Sequence, residues 1–341
     1  MNKQSNTHHL STKIIQLNQL KVEYPVVLAP MSGISDLPFR QLAQSMGAGM
    51  VVSEMIASAE FVRGRRKDIA RRALGDSISP FVIQLAGYDS HWMNEAARLC
   101  EDLGADVIDI NMGCPAKEVT GKQSGSALMR DLSHASRLIE SVVKSVRVPV
   151  TLKMRLGWDE KTINAPELAR LAEAAGVGML TVHGRTRSQF FKGRANWALV
   201  RPVKNAVQIP VLVNGDIRDF DDLATALAQS GADGVMVGRG AYGAPWQPGR
   251  LAATWRHGTD PGQPTAAQIA DIAVQHVEMM LQHYGTALGL RNARKHIGWY
   301  LAQLTKDPQH TKQWRQRLCT EENANRLLRS LAEFRHLETT A

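Results

Sequence analysis

Several patterns that define common classes of protein are absent from this chain. Its 341 residues include three widely spaced cysteines, at positions 100, 114 and 319, and no CxxC pair, so the sequence supports neither a disulfide framework nor a cysteine-based zinc site. No apolar run approaches the roughly 20 residues that cross a bilayer, and residues 1–20 lack the apolar core of a signal peptide. P-loop, HExxH and GxSxG motifs are also missing. We therefore expect a cytoplasmic protein with no membrane segment and no metal.

Acidic residues are few relative to basic ones. The chain has 41 Lys and Arg against 32 Asp and Glu, a net charge of +9, and a pI near 9.6. Ten of the cations and five of the acids follow Gly285. A second basic cluster in the sequence, over residues 63–72, consists of Arg63, Arg65, Arg66, Lys67, Arg71 and Arg72. This balance favours a polyanionic partner such as a nucleic acid, although a basic run is also compatible with a solvated face.

Eight short apolar runs recur along the chain with amphipathic helical segments between them. They begin near residues 26, 50, 81, 106, 150, 180, 211 and 235. This alternation is typical of a (β/α)8 barrel or of a doubly wound sheet, and the count of eight favours the barrel. We predict the α/β class: an N-terminal tail over 1–20, a TIM (β/α)8 barrel over 21–256, and a small C-terminal all-helical domain over 257–341. Within that domain, the pattern predicts helices over 265–284, 291–305 and 321–336.

Polar or special residues follow every one of the eight runs. The active site of a barrel is built at the carboxyl ends of its strands, so these residues are expected to lie together. They are Pro30-Met31-Ser32, Ser53-Glu54-Met55, Gln84, Asn111 with Cys114, Lys153 with Arg155, His183 with Arg185, Asn214-Gly215-Asp216 and Gly238-Arg239-Gly240. Glycines after the last two runs favour a phosphate site, because barrels often bind phosphate there.

Two of these residues have more than one interpretation from the residues alone. Cys114 is either a chemically active thiol or buried packing. Lys153 would be costly to bury unpaired, so we expect either a bound ring or phosphate, or a salt bridge to Glu54 or Asp109.

Taken together, the motifs resemble the tRNA-dihydrouridine synthase family and, within it, the bacterial B-type branch. The resemblance covers the chain beyond its first twenty residues. It rests on the motifs at Ala29–Asp36, Ser53–Met55, Gln84–Gly87, Ile110–Pro115, Gly125–Leu128, Thr151–Trp158, Val182–Arg187, Asn214–Ile217, Gly238–Gly240 and Arg291–His296.

The resemblance implies a flavin-dependent oxidoreductase that reduces the C5=C6 bond of a specific uridine in the D-loop of tRNA. The cofactor would be FMN, with NADPH as reductant; hydride would pass from flavin N5 to C6, and a proton from Cys114 to C5. The implied FMN-binding residues are Pro30, Met31, Ser32, Gln84, Lys153, His183, Asn214, Gly215, Asp216, Gly238 and Arg239. The implied substrate-binding residues are Asn111, Arg155, Arg185, Arg291, Arg294 and Lys295. We expect tRNA as partner and a monomer.

Two other classes of protein compete with this interpretation. A flavin oxidoreductase for a free pyrimidine, similar to dihydroorotate dehydrogenases, would explain the strand ends but not the basic C-terminal segment. An RNA-binding protein with an inactive barrel would explain the charge but not eight polar strand ends. Bound flavin and activity on tRNA distinguish the three.

Overall fold

Eight parallel strand positions close into a barrel in the computed structural model, which describes residues 13–64, 78–305 and 307–333. The strands are β3 (Val26–Leu28), β4 (Met50–Val51), β5 (Ile56–Ala57), β6 (Val82–Ala86), β7 (Val107–Met112), β8 (Val150–Arg155), β9 (Met179–His183), β10 (Val211–Asn214) and β11 (Gly234–Val237). Their order in the sheet is β4-β3-β11-β10-β9-β8-β7-β6-β5. A parallel bridge between Val52 and Val82 closes the ring, so residues 50–57 form one barrel position. The predicted barrel is confirmed.

Helices follow the strands and cover the barrel. They are α1 (Leu37–Ser45), α2 (Ser58–Val62), α3 (Ser90–Asp102), α4 (Lys117–Thr120), α5 (Leu132–Ser145), α6 (Ala165–Ala174), α7 (Arg201–Ala206), α8 (Phe220–Ser230) and α9 (Gln247–His257). Side-chain caps start several of them: Asp36 accepts from the Phe39 N–H at α1, and Asp219 accepts from the Asp222 N–H at α8. Strands β3, β4 and β6–β11 are buried along their whole length, as parallel strands covered on both faces are.

A hairpin closes the amino-terminal end of the barrel. β1 (Ile14–Leu17) pairs antiparallel with β2 (Leu20–Glu23). Ile15 and Leu17 pack with Val27 and Leu212 in one buried apolar cluster. Residues 14–20 fall within the predicted N-terminal tail, and the structure differs there because the alternating apolar side chains cover the interior of the barrel.

Over residues 258–305 and 307–333, four helices follow the barrel: α10 (Ala266–Tyr284), α11 (Thr286–Leu304), α12 (Pro308–Thr320) and α13 (Ala324–Ala332). They have an apolar core of their own, which Ala244 and Trp246 from the end of the barrel join. Helix α10 starts with a capping box between Thr265 and Gln268. The sequence predicted three helices here and missed α12, in which only Leu318 is buried.

Two histidines are buried where α10 and α11 pack on α1. The rings of His276 and His296 lie 4.6 Å apart between centroids, and each lies 5.6 Å from the Phe39 ring. His276 Nδ1 bonds the Tyr300 hydroxyl at 3.1 Å, whereas neither His296 nitrogen has a hydrogen-bond partner among the described residues. Burial lowers the pKa of His276 to about 3 and lowers that of His296 well below its usual value, and the positive charge of Lys295 lowers both further.

Because both pKa values are depressed in the folded protein, acid should destabilise it. Between pH ~6.5 and the lower pKa of the folded protein, the unfolded chain binds a proton at each histidine and the folded chain does not, so each histidine lowers stability by at most about 1.4 kcal/mol per pH unit as the pH falls. Asp36 offsets the effect of one histidine between pH 6 and 4. Burial raises the pKa of its carboxyl from 3.8 to about 6, so in this range the folded chain binds a proton there that the unfolded chain does not. Because the pKa of His296 is lowered in the folded protein, we expect His296→Phe to make the fall in the free energy of unfolding on acidification below pH ~6.5 shallower, by at most about 1.4 kcal/mol per pH unit. Denaturant unfolding at several pH values measures this, and equal slopes in both proteins would contradict it.

Candidate active site

The carboxyl ends of the strands surround one cavity of about 1540 Å³. All the strand-end residues that the sequence singled out for cofactor, substrate or catalysis line it. They are Pro30, Met31, Ser32, Gln84, Asn111, Cys114, Lys153, Arg155, His183, Arg185, Asn214, Gly215, Asp216, Gly238 and Arg239. The barrel geometry explains the convergence, because parallel strands in a closed ring end on the same face.

A chain of buried hydrogen bonds fixes the side chain of Asn111. Its Nδ2 donates to Gln84 Oε1 at 2.7 Å, and Gln84 Nε2 donates to Asp109 Oδ2 at 2.6 Å. Thr151 Oγ1 donates to the other oxygen of Asp109 at 2.6 Å. Burial raises the pKa of Asp109, although the bonds from Thr151 and Gln84 act in the opposite direction. The amide of Asn111 is therefore oriented with its Oδ1 toward the turn that follows β7, where it accepts from the Cys114 N–H at 3.0 Å.

Cys114 lies half-buried on that turn, with its backbone held on both sides. The Ser126 hydroxyl and N–H both donate to the Cys114 carbonyl, at 2.8 and 3.1 Å. A Cβ on Gly125 would lie 2.8 Å from the same carbonyl oxygen, and Gly125 has φ +62°, so only glycine fits this approach. Burial raises the pKa of the Cys114 thiol. The side chain is therefore a protonated thiol at neutral pH, in a fixed position on the cavity wall.

Lys153 reaches the cavity from β8 and is buried. Its Nζ donates to Asn214 Oδ1 at 3.1 Å, and Asn214 Nδ2 in turn donates to the Met236 carbonyl at 2.7 Å. Burial lowers the pKa of Lys153 to about 8, and the neighbouring positive charge of Arg155 adds to the effect. Among the described residues Lys153 forms no ion pair, so the salt bridge considered with Glu54 or Asp109 is not formed. The ammonium retains N–H donors for a bound group.

A histidine and two arginines cluster with Asp216, two residues beyond the Asn214 that Lys153 bonds. Arg185 Nη1 lies 3.2 Å from His183 Nε2, and because a guanidinium only donates, the ring proton of His183 is on Nδ1. Burial and the nearby charges of Arg155 and Lys153 lower the pKa of His183 well below its usual value, so the ring is neutral. Asp216 accepts from Arg185 at 2.5 Å and from Arg239 at 3.1 Å. Its carboxylate thus orients the Arg239 guanidinium.

Arg155 and Arg185, both predicted to contact substrate, bond mainly to backbone carbonyls of the protein. Arg155 Nε donates to the Gly113 carbonyl at 2.8 Å, and its Nη1 donates to the Thr186 and Phe190 carbonyls at 2.7 and 2.9 Å. Arg185 donates to the Lys192 and Gly193 carbonyls at 3.2 and 2.8 Å. Both guanidiniums are buried and tie the loop after β9 to its neighbours. The geometry indicates that they position this loop.

The loop after β9 also brings an exposed aromatic to the cavity, which the strand-end pattern did not select. Phe191 lines the cavity with 53% of its surface exposed. The guanidinium carbons of Arg239 and Arg155 lie 5.4 and 5.7 Å from its ring centroid. The signal that could have found it is a pair of aromatics, Phe190 and Phe191, in a loop rich in arginine and lysine.

The three cations predicted to bind tRNA lie on α11, outside the cavity. Arg291 and Arg294 are exposed and Lys295 is half-buried. None of the three forms an ion pair with a carboxylate in the part of the chain that the structure describes. In the basic cluster over residues 63–72, the guanidinium carbon of Arg63 lies 4.5 Å from the centroid of the Trp92 ring. The other members, Arg65, Arg66, Lys67, Arg71 and Arg72, lie outside the described residues.

Comparison with known proteins supplies a family. Residues 27–337 match the profile of the family described as Dihydrouridine synthase (Dus). A probable tRNA-dihydrouridine synthase from Rhizobium leguminosarum bv. phaseoli is 54% identical over 283 residues, which cover 83% of this chain and 86% of that protein. The tRNA-dihydrouridine synthase B of Xanthomonas axonopodis pv. citri (strain 306) is 44% identical over 286 residues, 84% of this chain and 86% of that protein.

The fold has a wider relationship. The structure of an old yellow enzyme homologue from Zymomonas mobilis matches 74% of this chain and 93% of its own, with a TM-score of 0.50 and 12% identity. This likeness confirms a barrel of the same general architecture. The fold and the cavity define a (β/α)8-barrel protein with a candidate active site at the carboxyl face of its strands. The chain belongs to the dihydrouridine synthase family, and the family and B-like branch that the motifs predicted are confirmed.

Proposed function

We propose that this protein reduces the C5=C6 bond of a uridine in the D-loop of tRNA, with FMN as cofactor and NADPH as reductant, and that it acts in the cytoplasm as a monomer. The observation that carries the proposal is the grouping around one cavity of a protonated thiol, Cys114, a buried ammonium, Lys153, and a glycine–arginine turn, Gly238-Arg239. Membership of the dihydrouridine synthase family supports the same reaction. The name tRNA-dihydrouridine synthase, carried by the relatives, supports tRNA as the substrate.

The residues present fit an FMN. The cavity, at about 1540 Å³, exceeds the 300–1,000 Å³ of typical ligand pockets, so it has room for a flavin and a uracil together. Lys153 has N–H donors available for the polar edge of the ring, which Pro30-Met31-Ser32 and Gln84 would flank. His183, Asn214-Gly215 and the Gly238-Arg239 turn would hold the ribityl chain and phosphate, because the Nδ1–H of His183, backbone N–H groups and a guanidinium all donate to oxygen.

A reduced flavin bound there supplies the hydride that saturating the C5=C6 bond requires, and NADPH supplies the electrons to the flavin. The residues of the chain supply the proton. Cys114 holds a proton on Sγ because burial raises the pKa of its thiol, and this proton is available to C5. One Nδ2 proton of Asn111 bonds Gln84, which leaves the other to orient the uracil. The buried hydrogen bonds from Asn111 to Gln84 and from the Cys114 N–H to Asn111 hold the amide and the thiol in a fixed relative position.

A uridine inside a folded tRNA must leave its stack before it can enter the cavity. The exposed face of Phe191 at the rim is suited to contact an extruded base, since aromatic rings stack with any base. Arg291 and Arg294 on α11 present cations that make no ion pair among the described residues and are suited to the phosphate backbone. The net charge of +9 agrees with such a partner.

The decisive experiment supplies purified protein with NADPH and unmodified tRNA and measures dihydrouridine by mass spectrometry of the digested RNA. We expect a flavin absorbance in the protein and formation of dihydrouridine in the D-loop. Turnover of free pyrimidines without turnover of tRNA would instead support the free-pyrimidine oxidoreductase. Absence of flavin and of turnover would support the RNA-binding protein.

Arg239→Ala should weaken FMN binding. The change removes a charge-assisted hydrogen bond to phosphate, and loss of about 1.5–3 kcal/mol corresponds to a dissociation constant roughly 10- to 100-fold higher. Quenching of flavin fluorescence in a titration measures it. Arg326→Ala is a matched control, because that arginine pairs with Glu321 on the helical part of the chain. An unchanged FMN dissociation constant in Arg239→Ala would show that the phosphate binds elsewhere.

A further inference from the structure

Helix α11 touches two neighbouring loops at the cavity mouth, those after the paired strands β11 and β3, although it belongs to the helical part of the chain. One is the turn after β11, which includes the short 3-10 helix Arg239–Ala241. The other is the loop after β3, which includes Met31 and Ser32. The proposed function assigns both loops to the cofactor, and the inference below depends on that assignment.

The turn after β11 rests directly on the backbone of α11. A Cβ added to Gly243, which has φ +62°, would lie 2.4 Å from the Trp299 carbonyl carbon and 2.6 Å from its oxygen. No other residue can make so close an approach without moving the turn or the helix. The position of the turn is therefore tied to the position of Trp299.

Side chains reinforce this contact. The Tyr242 and Trp299 rings are stacked, with centroids 4.2 Å apart and planes 24° apart. Tyr242 also lines the cavity, three residues beyond Arg239. Gln303, one turn further along α11, donates to the Tyr242 carbonyl at 3.5 Å. The stack thus links the helix to the residue next to the proposed phosphate site.

The loop after β3 has a parallel contact at the same end of the barrel. The Lys295 amine lies 3.3 Å from the position of a Cβ on Gly33. The Tyr284 hydroxyl, at the end of α10, donates to Asp36 Oδ2 at 3.0 Å. Arg291 and Arg294 lie on the same helix and face solvent. The same helix therefore carries the exposed cations Arg291 and Arg294 and contacts both cofactor loops.

We propose that Trp299 is a positioning residue for the cofactor: by stacking on Tyr242 it fixes the Gly238–Gly243 turn, and it couples RNA docking on α11 to retention of FMN. Because binding linkage is reciprocal, RNA on the helix must tighten FMN by the same factor as FMN tightens RNA. Trp299 does not line the cavity, so in this proposal it acts through Tyr242, which does.

The test measures the FMN dissociation constant of the full-length protein by fluorescence, with and without a saturating unmodified tRNA transcript. In the parent protein we expect tRNA to tighten FMN by roughly fivefold or more. We expect Trp299→Ala to weaken FMN by about tenfold without tRNA and to abolish the tightening by tRNA, and Trp299→Phe to restore both, because a phenyl ring still stacks.

Two further variants separate positioning from general loss of stability. Trp314→Ala removes an aromatic side chain that packs against the same helical core but takes no part in the Tyr242–Trp299 stack and does not line the cavity, and it should leave FMN affinity unchanged. In a Tyr242→Ala background, Trp299→Ala should add no further loss, since the two act through one contact.

Each failure has a distinct meaning. If the parent protein does not bind FMN, the proposed function is wrong. If it binds FMN and Trp299→Ala binds equally well, or if Trp299→Ala keeps the tightening by tRNA, the proposed function stands and the positioning role is overturned. Additive losses in the Tyr242 and Trp299 variants, or an equal loss in Trp314→Ala, would also overturn it.

Discussion

Cys114→Ala is expected to reduce the rate of uridine reduction on tRNA by about 10²- to 10⁴-fold, the usual contribution of a positioned proton donor. FMN content and the rate of flavin reduction by NADPH should stay the same, because the thiol lies on the turn after β7 and the proposed phosphate site lies after β11. Rapid mixing of the NADPH-reduced variant with tRNA, followed by single-turnover analysis of dihydrouridine, isolates the affected step.

Cys100→Ala is the matched control for the loss of a thiol. Cys100 is buried in α3, where burial raises the pKa of its thiol to about 12, and it does not line the cavity. This variant should reduce uridine at the parent rate if it folds, and its unfolding transition checks that. Parent-like turnover in Cys114→Ala would show that Cys114 is only packing and that another group donates the proton.

The pH dependence of the single-turnover rate provides a second check on the same role. A proton donor must carry its proton, so the rate should fall on the alkaline side as pH rises through the pKa of Cys114, which burial places above its usual value. Cys114→Ala should lose this limb while keeping any limb that belongs to other groups. A limb that persists unchanged in the variant would assign it elsewhere.

The positions of the site residues could be predicted because the strands recur along the chain and each site residue lies at or just after the end of one. Strands buried on both faces are continuous apolar runs, and the residue that ends each run must lie at the carboxyl face of a barrel. The pattern of runs alone therefore predicts that Gln84, Asn111, Lys153 and His183 share one cavity, and they do. The pattern of runs does not give the direction in which each side chain points, and the roles of these residues came from the family resemblance.

What each long side chain bonds could not be predicted from the sequence. Arg155 ends β8 and Arg185 follows β9 by two residues, as expected, but most of their acceptors are carbonyls of the loop after β9, whose path no local pattern specifies. The same holds for Asp216, whose carboxylate bonds two arginines. Position in a strand is local information, whereas a hydrogen-bond partner depends on tertiary structure.

Two elements with weak periodicity were not predicted from the sequence: β1, which was assigned to a tail, and α12. The alternation in β1 extends over only four residues, too few to distinguish a strand from a tail. Helix α12 buries a single side chain, Leu318, so it lacks the apolar stripe that marks a helix. His276 and His296 occupy core positions as polar residues, and hydrophobic patterning cannot identify those.

Charge reversal on α11 should have the second large effect. In Arg291→Glu/Arg294→Glu two phosphate contacts are lost and replaced by repulsion, so tRNA affinity at low salt should fall by at least 10-fold. The slope of log affinity against log salt should become shallower by roughly 1.4–1.8, since each phosphate contact contributes about 0.7–0.9. Filter binding across a range of salt concentrations measures both. Without tRNA, FMN affinity should be unchanged, because both residues are exposed and neither lines the cavity.

Point variants are preferable to truncation here, because removing α11 would also remove Trp299 from the cofactor turn. The matched control is Arg98→Glu/Lys144→Glu, which changes the net charge equally at exposed sites on α3 and α5. It should lower tRNA affinity only through the general field, which salt screens within about 10 Å at 0.1 M. Equal losses in the two double variants would mean that tRNA senses the overall charge and that the α11 face is a solvated surface. A loss confined to Arg291→Glu/Arg294→Glu would locate the phosphate backbone on α11.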